Sequence, residues 1–194
     1  RFTRQLLPES SWRQRDVPLD PMRHRKSRRS SGGAIALPKA PVKRYVAEPG
    51  TAEVAEAIAG AEVVGTSLIS RAETAAALGK AVRVGALTRE EATSALQVFR
   101  SEWSTLVRVQ ATEMLVARAD QLGWELGLRG YDAVHLASAL LWQEGMGEPV
   151  TVATFDQQLW EAANGRGMIC LPDDLLERAH RARQTPNRPE GEAD

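Results

Sequence analysis

The spacing of hydrophobic positions along the chain alternates between two periods. Short runs rich in β-branched residues, such as "EVVGTS" (62–67), indicate strands, while apolar residues at every third or fourth position indicate helices. Predicted strands cover 34–37, 62–67, 105–111, 148–156 and 168–172, and predicted helices cover 51–61, 67–85, 88–103, 112–127, 131–144 and 157–167. Strands that alternate with helices predict an α/β fold, with a central parallel sheet of about four to five strands flanked by helices.

Local signals set several element boundaries. Thr88 followed by Glu91 is a capping box that starts a helix, and Gly127 ends the next one. The segment "VKRYVAEPG" (42–50) predicts a short helical piece that stops at its Pro-Gly pair.

Charge is distributed unevenly although the net charge is zero. Residues 1–44 carry 12 Lys and Arg against 3 Asp and Glu, so the remaining chain is acidic. Their run "RHRKSRRSSGG" has no hydrophobic period, which predicts a disordered basic extension over 1–33 before a domain over 34–175. This extension is either a solvated or non-native segment or an RNA-binding arm. The tail, 176–194, is predicted to be mostly disordered.

Cysteine use and hydropathy bear on the compartment. The single cysteine, Cys170, excludes an internal disulfide and lies in an apolar run, which indicates a buried structural thiol in a reducing cytoplasm. No window approaches the ~18 apolar residues of a membrane span, and no apolar signal-peptide core is present. We therefore expect a cytoplasmic protein with no membrane partner.

Three carboxylates occupy positions where apolar surroundings make a charge costly. Glu73 lies one turn into a helix, beside small residues. Asp132 heads the apolar stripe of "GYDAVHLASALL" (130–141), and Asp156 ends the clearest predicted strand, 148–156. Each has an ordinary alternative: Glu73 pairs with a distant arginine, Asp132 interacts with the helix dipole, and Asp156 caps a helix.

The carboxyl ends of parallel strands meet at one edge of a sheet, so we expect these acids to converge there. Converging carboxylates repel each other and suit a hard divalent cation, Mg²⁺ or Mn²⁺. Zinc chemistry is not indicated, because His24, His135 and His180 are far apart in sequence. The sequence also contains neither a P-loop nor a G-x-S-x-G nucleophile motif.

Four segments together resemble the PIN-domain ribonucleases, in particular the VapC-type toxins of bacterial toxin–antitoxin pairs. They are "VKRYVAEPG" (42–50), "TSLISRAETAAAL" (66–78), "LRGYDAVHLASAL" (128–140) and "VTVATFDQQLWEAANGRG" (150–167), in family order and at family-like spacing. The resemblance implies a three-layer PIN-like sandwich and metal-dependent cleavage of an RNA phosphodiester by an activated water. It also implies an antitoxin partner and a homodimer.

The resemblance assigns roles residue by residue. Glu73, Asp132 and Asp156 match three of the four acids of the family's metal cage. Thr66 and Thr154 match positions whose hydroxyls support that cage, although Thr154 is equally well explained as a plain strand residue. His135 matches a common family histidine, for which packing or support of the cage is favoured over metal ligation.

The fourth family acid has no counterpart, because Leu37 stands in its place. No acid occurs between Asp20 and Glu48, and the match becomes good again abruptly at Val42. Two explanations are open. Either the chain is a degenerate PIN domain that binds RNA or antitoxin with weak or no catalysis, or the segment before Val42 is non-native, as after a frameshift.

Overall fold

A computed structural model of the protein describes residues 34–37 and 51–184. The strands are β1 (Ala34–Leu37), β2 (Val63–Ser67), β3 (Val107–Val109), β4 (Val150–Ala153) and β5 (Ile169–Leu171). The helices are α1 (Thr51–Gly60), α2 (Ser70–Arg83), α3 (Arg89–Glu102), α4 (Glu113–Leu126), α5 (Gly130–Met146), α6 (Gln157–Asn164) and α7 (Leu175–Gln184).

The five strands form one parallel sheet in the order β3-β2-β1-β4-β5, which confirms the predicted α/β architecture. Its central strand, β1, pairs with β2 on one side and β4 on the other; Ala36 is in register with Gly65 and with Val152. From β1 the chain adds β2 and then β3 on one side of the sheet, and it afterwards adds β4 and β5 on the other side of β1. The strand order therefore reverses between β1 and β4. Such switch points are where ligands collect in open α/β sheets.

Helix α5 lies at the centre of the hydrophobic core. It packs against α4 and against β2, β4 and α6, and its buried side chains continue almost around the whole helix. Trp142 presses its six-membered ring onto β2 at Gly65, where an added Cβ would lie 2.6 Å from Cζ3 of that ring. Glycine is required at this position because any side chain would enter the space of the indole.

The local signals at the helix ends are confirmed. The Thr88 hydroxyl accepts a hydrogen bond from the Glu91 backbone N–H, and the Glu91 carboxylate accepts one from the Thr88 N–H. Gly127 ends α4 in the left-handed conformation, with a φ of 64°. Both features satisfy backbone groups that a helix end leaves without intrahelical partners.

The C-terminal prediction differs from the structure. Residues 175–184 form α7, so the first part of the predicted disordered tail, 176–184, is helical. Leu175 is buried in the core and Leu176 packs against it, while Arg178 forms ion pairs with Asp174 and, at 3.5 Å, with Glu53. The core packing and the ion pair with Glu53 are long-range contacts that stabilise a helix whose own sequence has few apolar residues.

Three predicted segments lie outside the described residues: the basic extension (1–33), the short helical piece (42–50) and the last part of the tail (185–194). Among residues 34–37 and 51–184, no helix combines the length and apolarity needed to cross a bilayer.

Candidate active site

The carboxyl ends of β1, β2 and β4 form the edge at which the predicted site residues gather. Leu37 ends β1, and its backbone is in register with Thr66, near the end of β2. Thr154 and Asp156 follow β4 directly. The position that carries Leu37 is therefore central to this edge, between the ends of the two neighbouring strands.

Glu73 and His135 connect the first turn of α2 to α5. The Nε2 atom of His135 lies 2.5 Å from Oε2 of Glu73, although 62 positions separate them in sequence. The His135 side chain is fully buried, and that of Glu73 is 21% exposed. This contact brings the beginning of α5, with Asp132, to the same edge of the sheet as the beginning of α2.

Asp132 is a buried carboxylate, with only 2% of its surface exposed. It lies in the first turn of α5, where the helix dipole favours negative charge. That effect contributes at most ~2 kcal/mol, whereas an ionised carboxylate away from water loses several kcal/mol of solvation. The dipole alone is therefore a weak reason for an acid here.

Hydroxyl groups line the end of β2 and the beginning of α2. The Thr66 hydroxyl is hydrogen-bonded to that of Ser70 at 2.6 Å. The Thr74 hydroxyl donates to the Ser70 carbonyl at 2.7 Å. All three residues are buried. This chain of contacts fixes the first turn of α2 on β2, and with it the position of Glu73.

Asp156 caps α6, as its ordinary alternative predicts. Its Oδ1 accepts a hydrogen bond from the Leu159 backbone N–H at 3.1 Å. The buried Thr154 hydroxyl accepts from the Asp156 N–H at 3.2 Å. Capping does not exclude a second role, because a carboxylate has two oxygens and about four lone-pair directions.

The predicted acid trio (Glu73, Asp132 and Asp156) shares one edge of the sheet but is not drawn tightly together. Within the described residues, a different set, the Glu53 cluster (Glu53, Asp173 and Asp174), is the group whose donor atoms all lie within 4.8 Å of one another. The expected close approach of the trio is thus not seen. Its donors, all carboxylate oxygens, still match the chemistry of a hard divalent cation.

The Glu53 cluster has a simpler explanation in ion pairing. Arg178 forms ion pairs with both Glu53 and Asp174, and Arg181 lies 3.7 Å from Asp174. The hydrogen bond from Arg178 is the main cause that lowers the pKa of Asp174. The positive charges already compensate these acids, which is the expected state of an exposed ion-pair network.

A small pocket lies beneath the candidate site, lined in part by Ser67, His135, Ser138 and Trp142. The Ser67 hydroxyl and Nδ1 of His135 are both buried there and have no hydrogen-bond partner among the described residues. Only Nε2 of His135, through Glu73, therefore holds the ring by a hydrogen bond within this part of the chain.

The sequence did not single out several residues that the structure places at this edge. Ser70 joins Thr66 and Thr74 through hydroxyl contacts at spacings of four, a spacing that could have indicated them. Arg108 lies on β3 in register with Thr66. As the one charged residue in the apolar run of its strand, it could also have been recognised.

Comparisons with known proteins agree with this architecture. The PIN domain family matches residues 44–164. Ribonuclease VapC45 of Mycobacterium tuberculosis (strain CDC 1551 / Oshkosh) and ribonuclease VapC49 of strain ATCC 25618 / H37Rv are each 32% identical to the chain over 135 residues, which is 69% of this chain and 91% of each relative.

The crystal structure of PAE2754 from Pyrobaculum aerophilum is similar in fold, with a TM-score of 0.50 and 19% sequence identity, over 77% of this chain and 90% of that one. The family match includes all three members of the acid trio and begins after Leu37.

Proposed function

The chain belongs to the PIN-domain family, and from this premise we propose that it is a metal-dependent endoribonuclease, the toxin of a toxin–antitoxin pair. Its similarity to two proteins named as ribonucleases supports hydrolysis of RNA. The observation that carries the proposal is the buried carboxylate of Asp132 at the head of α5, beside the contact between Glu73 and His135.

We propose that Glu73, Asp132 and Asp156 hold Mg²⁺ or Mn²⁺ at the carboxyl edge of the sheet. When bound, such an ion supplies an activated water and neutralises charge that develops on the phosphate. An ion at this edge would also offset the solvation that a buried carboxylate at position 132 loses.

The surrounding side chains fix the direction of these carboxylates. His135 occupies one oxygen of Glu73, which leaves the other oxygen for a ligand. The Leu159 N–H and the Thr154 hydroxyl hold Asp156 by its side chain and backbone respectively. Partners of this kind orient metal ligands and are typically worth about 10–100-fold in metal affinity or activity.

Leu37 lowers the metal affinity that we expect of this site. It ends β1 beside Thr66, at the position where the family's fourth acid is expected. A site with three acids has one negative charge fewer to attract a divalent cation, so we expect it to require more metal than a four-acid site.

The proposed partners follow from the family. We propose an RNA substrate, a cognate antitoxin that blocks the carboxyl edge, a homodimeric assembly and a cytoplasmic location. The single cysteine, Cys170, is buried and free, which supports a reducing compartment.

An RNA cleavage assay tests the activity. The purified chain is incubated with structured RNA and Mn²⁺, beside an Asp132→Asn variant that keeps the side-chain size and removes the charge. We expect cleavage that EDTA stops and that the variant loses. If neither protein cleaves while both bind RNA or antitoxin, the chain is a binding module and the proposed enzyme is wrong.

A further inference from the structure

Two arginines contact the same tryptophan near the carboxyl edge of the sheet. The guanidinium of Arg71 lies over the ring of Trp103, 5.8 Å from its centroid. Arg108 donates from Nη1 to the Trp103 carbonyl oxygen at 3.4 Å. The indole is itself buried and packs edge-on against Phe99, with ring centroids 5.4 Å apart. Trp103 thus contacts both arginines, Arg71 through its ring and Arg108 through its backbone carbonyl.

This arginine pair (Arg71 and Arg108) differs from the ion-paired arginines of the protein, as Arg89 also does, and is set apart by its contacts with Trp103. Arg118 and Arg166, for example, form ion pairs with Glu144 and Glu125. Within the described residues, neither Arg71 nor Arg108 forms an ion pair with a carboxylate. Residues 45–194 carry a net negative charge. Two arginines in this part of the chain that have no acidic partner among the described residues are available to an external anion.

The pair lies on elements that also carry candidate site residues. Arg71 is in the first turn of α2, two residues before Glu73, and Arg108 is in register with Thr66. The Leu68 N–H donates to the Val109 carbonyl at 2.9 Å, which extends the pairing of β2 with β3 up to the beginning of α2. The arginines and the acid trio are therefore mounted on neighbouring elements of the same edge.

We propose that Arg71 and Arg108 form a phosphate-binding subsite for the RNA strand next to the scissile phosphodiester. A polynucleotide carries a phosphate at each nucleotide, so a strand whose reacting phosphate lies at the acids presents further phosphates to either side. Arginine is suited to this contact because its planar guanidinium donates two parallel hydrogen bonds to phosphate oxygens. The subsite rests on the proposed ribonuclease function and adds a residue set that carries no catalytic role.

The pair also accounts for RNA binding by an acidic body. The excess of positive charge in this chain lies in residues 1–44, outside the acidic remainder of the sequence. A local pair of arginines supplies attraction at the site without a positive surface overall. Binding that depends on few phosphates should be weak and selective for the strand that enters the site.

The test measures RNA binding separately from cleavage. Arg71→Gln and Arg108→Gln are placed in the Asp132→Asn chain, and binding of a fluorescein-labelled mixed-sequence RNA is followed by anisotropy over a series of KCl concentrations. Each substitution should weaken binding and lower the slope of log affinity against log salt by ~0.7 for each phosphate of a single strand that is no longer neutralised. Arg71→Lys should keep the slope, because it keeps the charge.

Arg89→Gln is the matched control. Arg89 is exposed and begins α3, roughly 20 Å along the helix axis from Trp103. Its variant should bind RNA with an unchanged slope. Arg71 is exposed, so its substitution leaves folding intact even if that of the half-buried Arg108 does not.

Unchanged affinity and slope in Arg71→Gln would overturn the subsite. So would variants that bind RNA normally but no longer bind polyglutamate, because the pair would then be a site for an acidic protein. If cleavage requires Asp132 while the arginine variants bind RNA normally, the subsite alone fails. If the unsubstituted chain neither binds nor cleaves RNA, the proposed function fails with it.

Discussion

Nε2 of His135 lies 2.5 Å from Oε2 of Glu73, although 62 positions separate the two residues in sequence. The imidazole is fully buried, and the carboxylate is partly exposed. The contact joins the beginnings of α2 and α5. We propose from this contact that His135 supports Glu73 through Nε2, the kind of role that the sequence favours over metal ligation.

Two substitutions distinguish the role of Nε2 of His135 from that of Nδ1. In His135→Gln the amide nitrogen can reach the place of Nε2, whereas in His135→Asn it replaces Nδ1 and leaves Glu73 without this contact. We expect His135→Asn to lower cleavage by about 10–100-fold and to raise the Mn²⁺ concentration for half-maximal rate, with a smaller change in His135→Gln.

Ser138→Ala serves as the control for that pair, because the Ser138 hydroxyl donates to the Val134 carbonyl of its own helix and lines the same pocket. Its rate and metal requirement should stay unchanged. Equal losses in the Gln and Asn variants would show that His135 acts through packing alone.

Gly65 is required by the ring of Trp142. A Cβ at position 65 would lie 2.6 Å from Cζ3 and 2.7 Å from Cη2 of the indole, so Gly65→Ala should lower the free energy of unfolding by about 1–3 kcal/mol. The measurement is the urea midpoint at an unchanged m value. Gly60→Ala, where nothing lies within 4 Å of the added Cβ, should be close to neutral.

A second substitution checks the cause of that loss. Phenylalanine lacks the outer ring atoms of tryptophan that approach position 65, so Trp142→Phe should cost less stability in the Gly65→Ala chain than in the unsubstituted one. Additive effects of the two substitutions would contradict the contact.

Restoring an acid at the end of β1 should strengthen the metal site. Leu37→Asp places a fourth carboxylate beside Thr66, at the centre of the carboxyl edge. We expect a lower Mn²⁺ requirement and faster cleavage, with Ala34→Asp at the other end of β1 as the control. No gain would indicate that the segment before Val42 is not the native first strand, which the encoding DNA in its other two reading frames would then reveal.

Cys170 should be chemically inert in the folded protein. Burial raises the pKa of its thiol to about 11, and alkylation requires the thiolate. Iodoacetamide at pH 8 should therefore react slowly with the folded chain and rapidly in urea. Because burial raises the pKa of the folded thiol, the neutral Cys170 side chain contributes fully to the free energy of unfolding below about pH 8.5, the ordinary pKa of a thiol. This contribution is lost as the pH rises toward 11. Fast alkylation without urea would contradict this burial.

Local parts of the fold were predictable from the sequence, since their causes lie within a few residues. The capping box of Thr88 and Glu91 and the stop at Gly127 are of this kind. Helix α7 was predicted poorly, because Leu175 and Arg178 stabilise it through the core and Glu53 rather than through its own hydrophobic period.

The candidate site was predictable in its residue types and in its edge of the sheet, but not in its contacts. Parallel strands bring their carboxyl ends together whatever the side chains are, so Glu73 and Asp156, which follow β2 and β4, could be placed at one edge. Asp132 opens a helix that follows α4, so this argument does not place it. The cap that Asp156 forms on α6 is local and was among the sequence-based alternatives. The contact of Glu73 with His135, by contrast, depends on how α2 and α5 are placed relative to each other. No period in the sequence encodes such packing.

Titration of the chain with Mn²⁺ by calorimetry tests the central claim most directly, because residues 34–37 and 51–184 include two acidic groups that could bind the ion. Asp132→Asn removes a charge from the acid trio, and Asp173→Asn removes one from the Glu53 cluster. We predict that Asp132→Asn abolishes binding and cleavage together, while Asp173→Asn leaves both unchanged. Loss of Mn²⁺ binding in Asp173→Asn, with normal binding in Asp132→Asn, would contradict the proposed site.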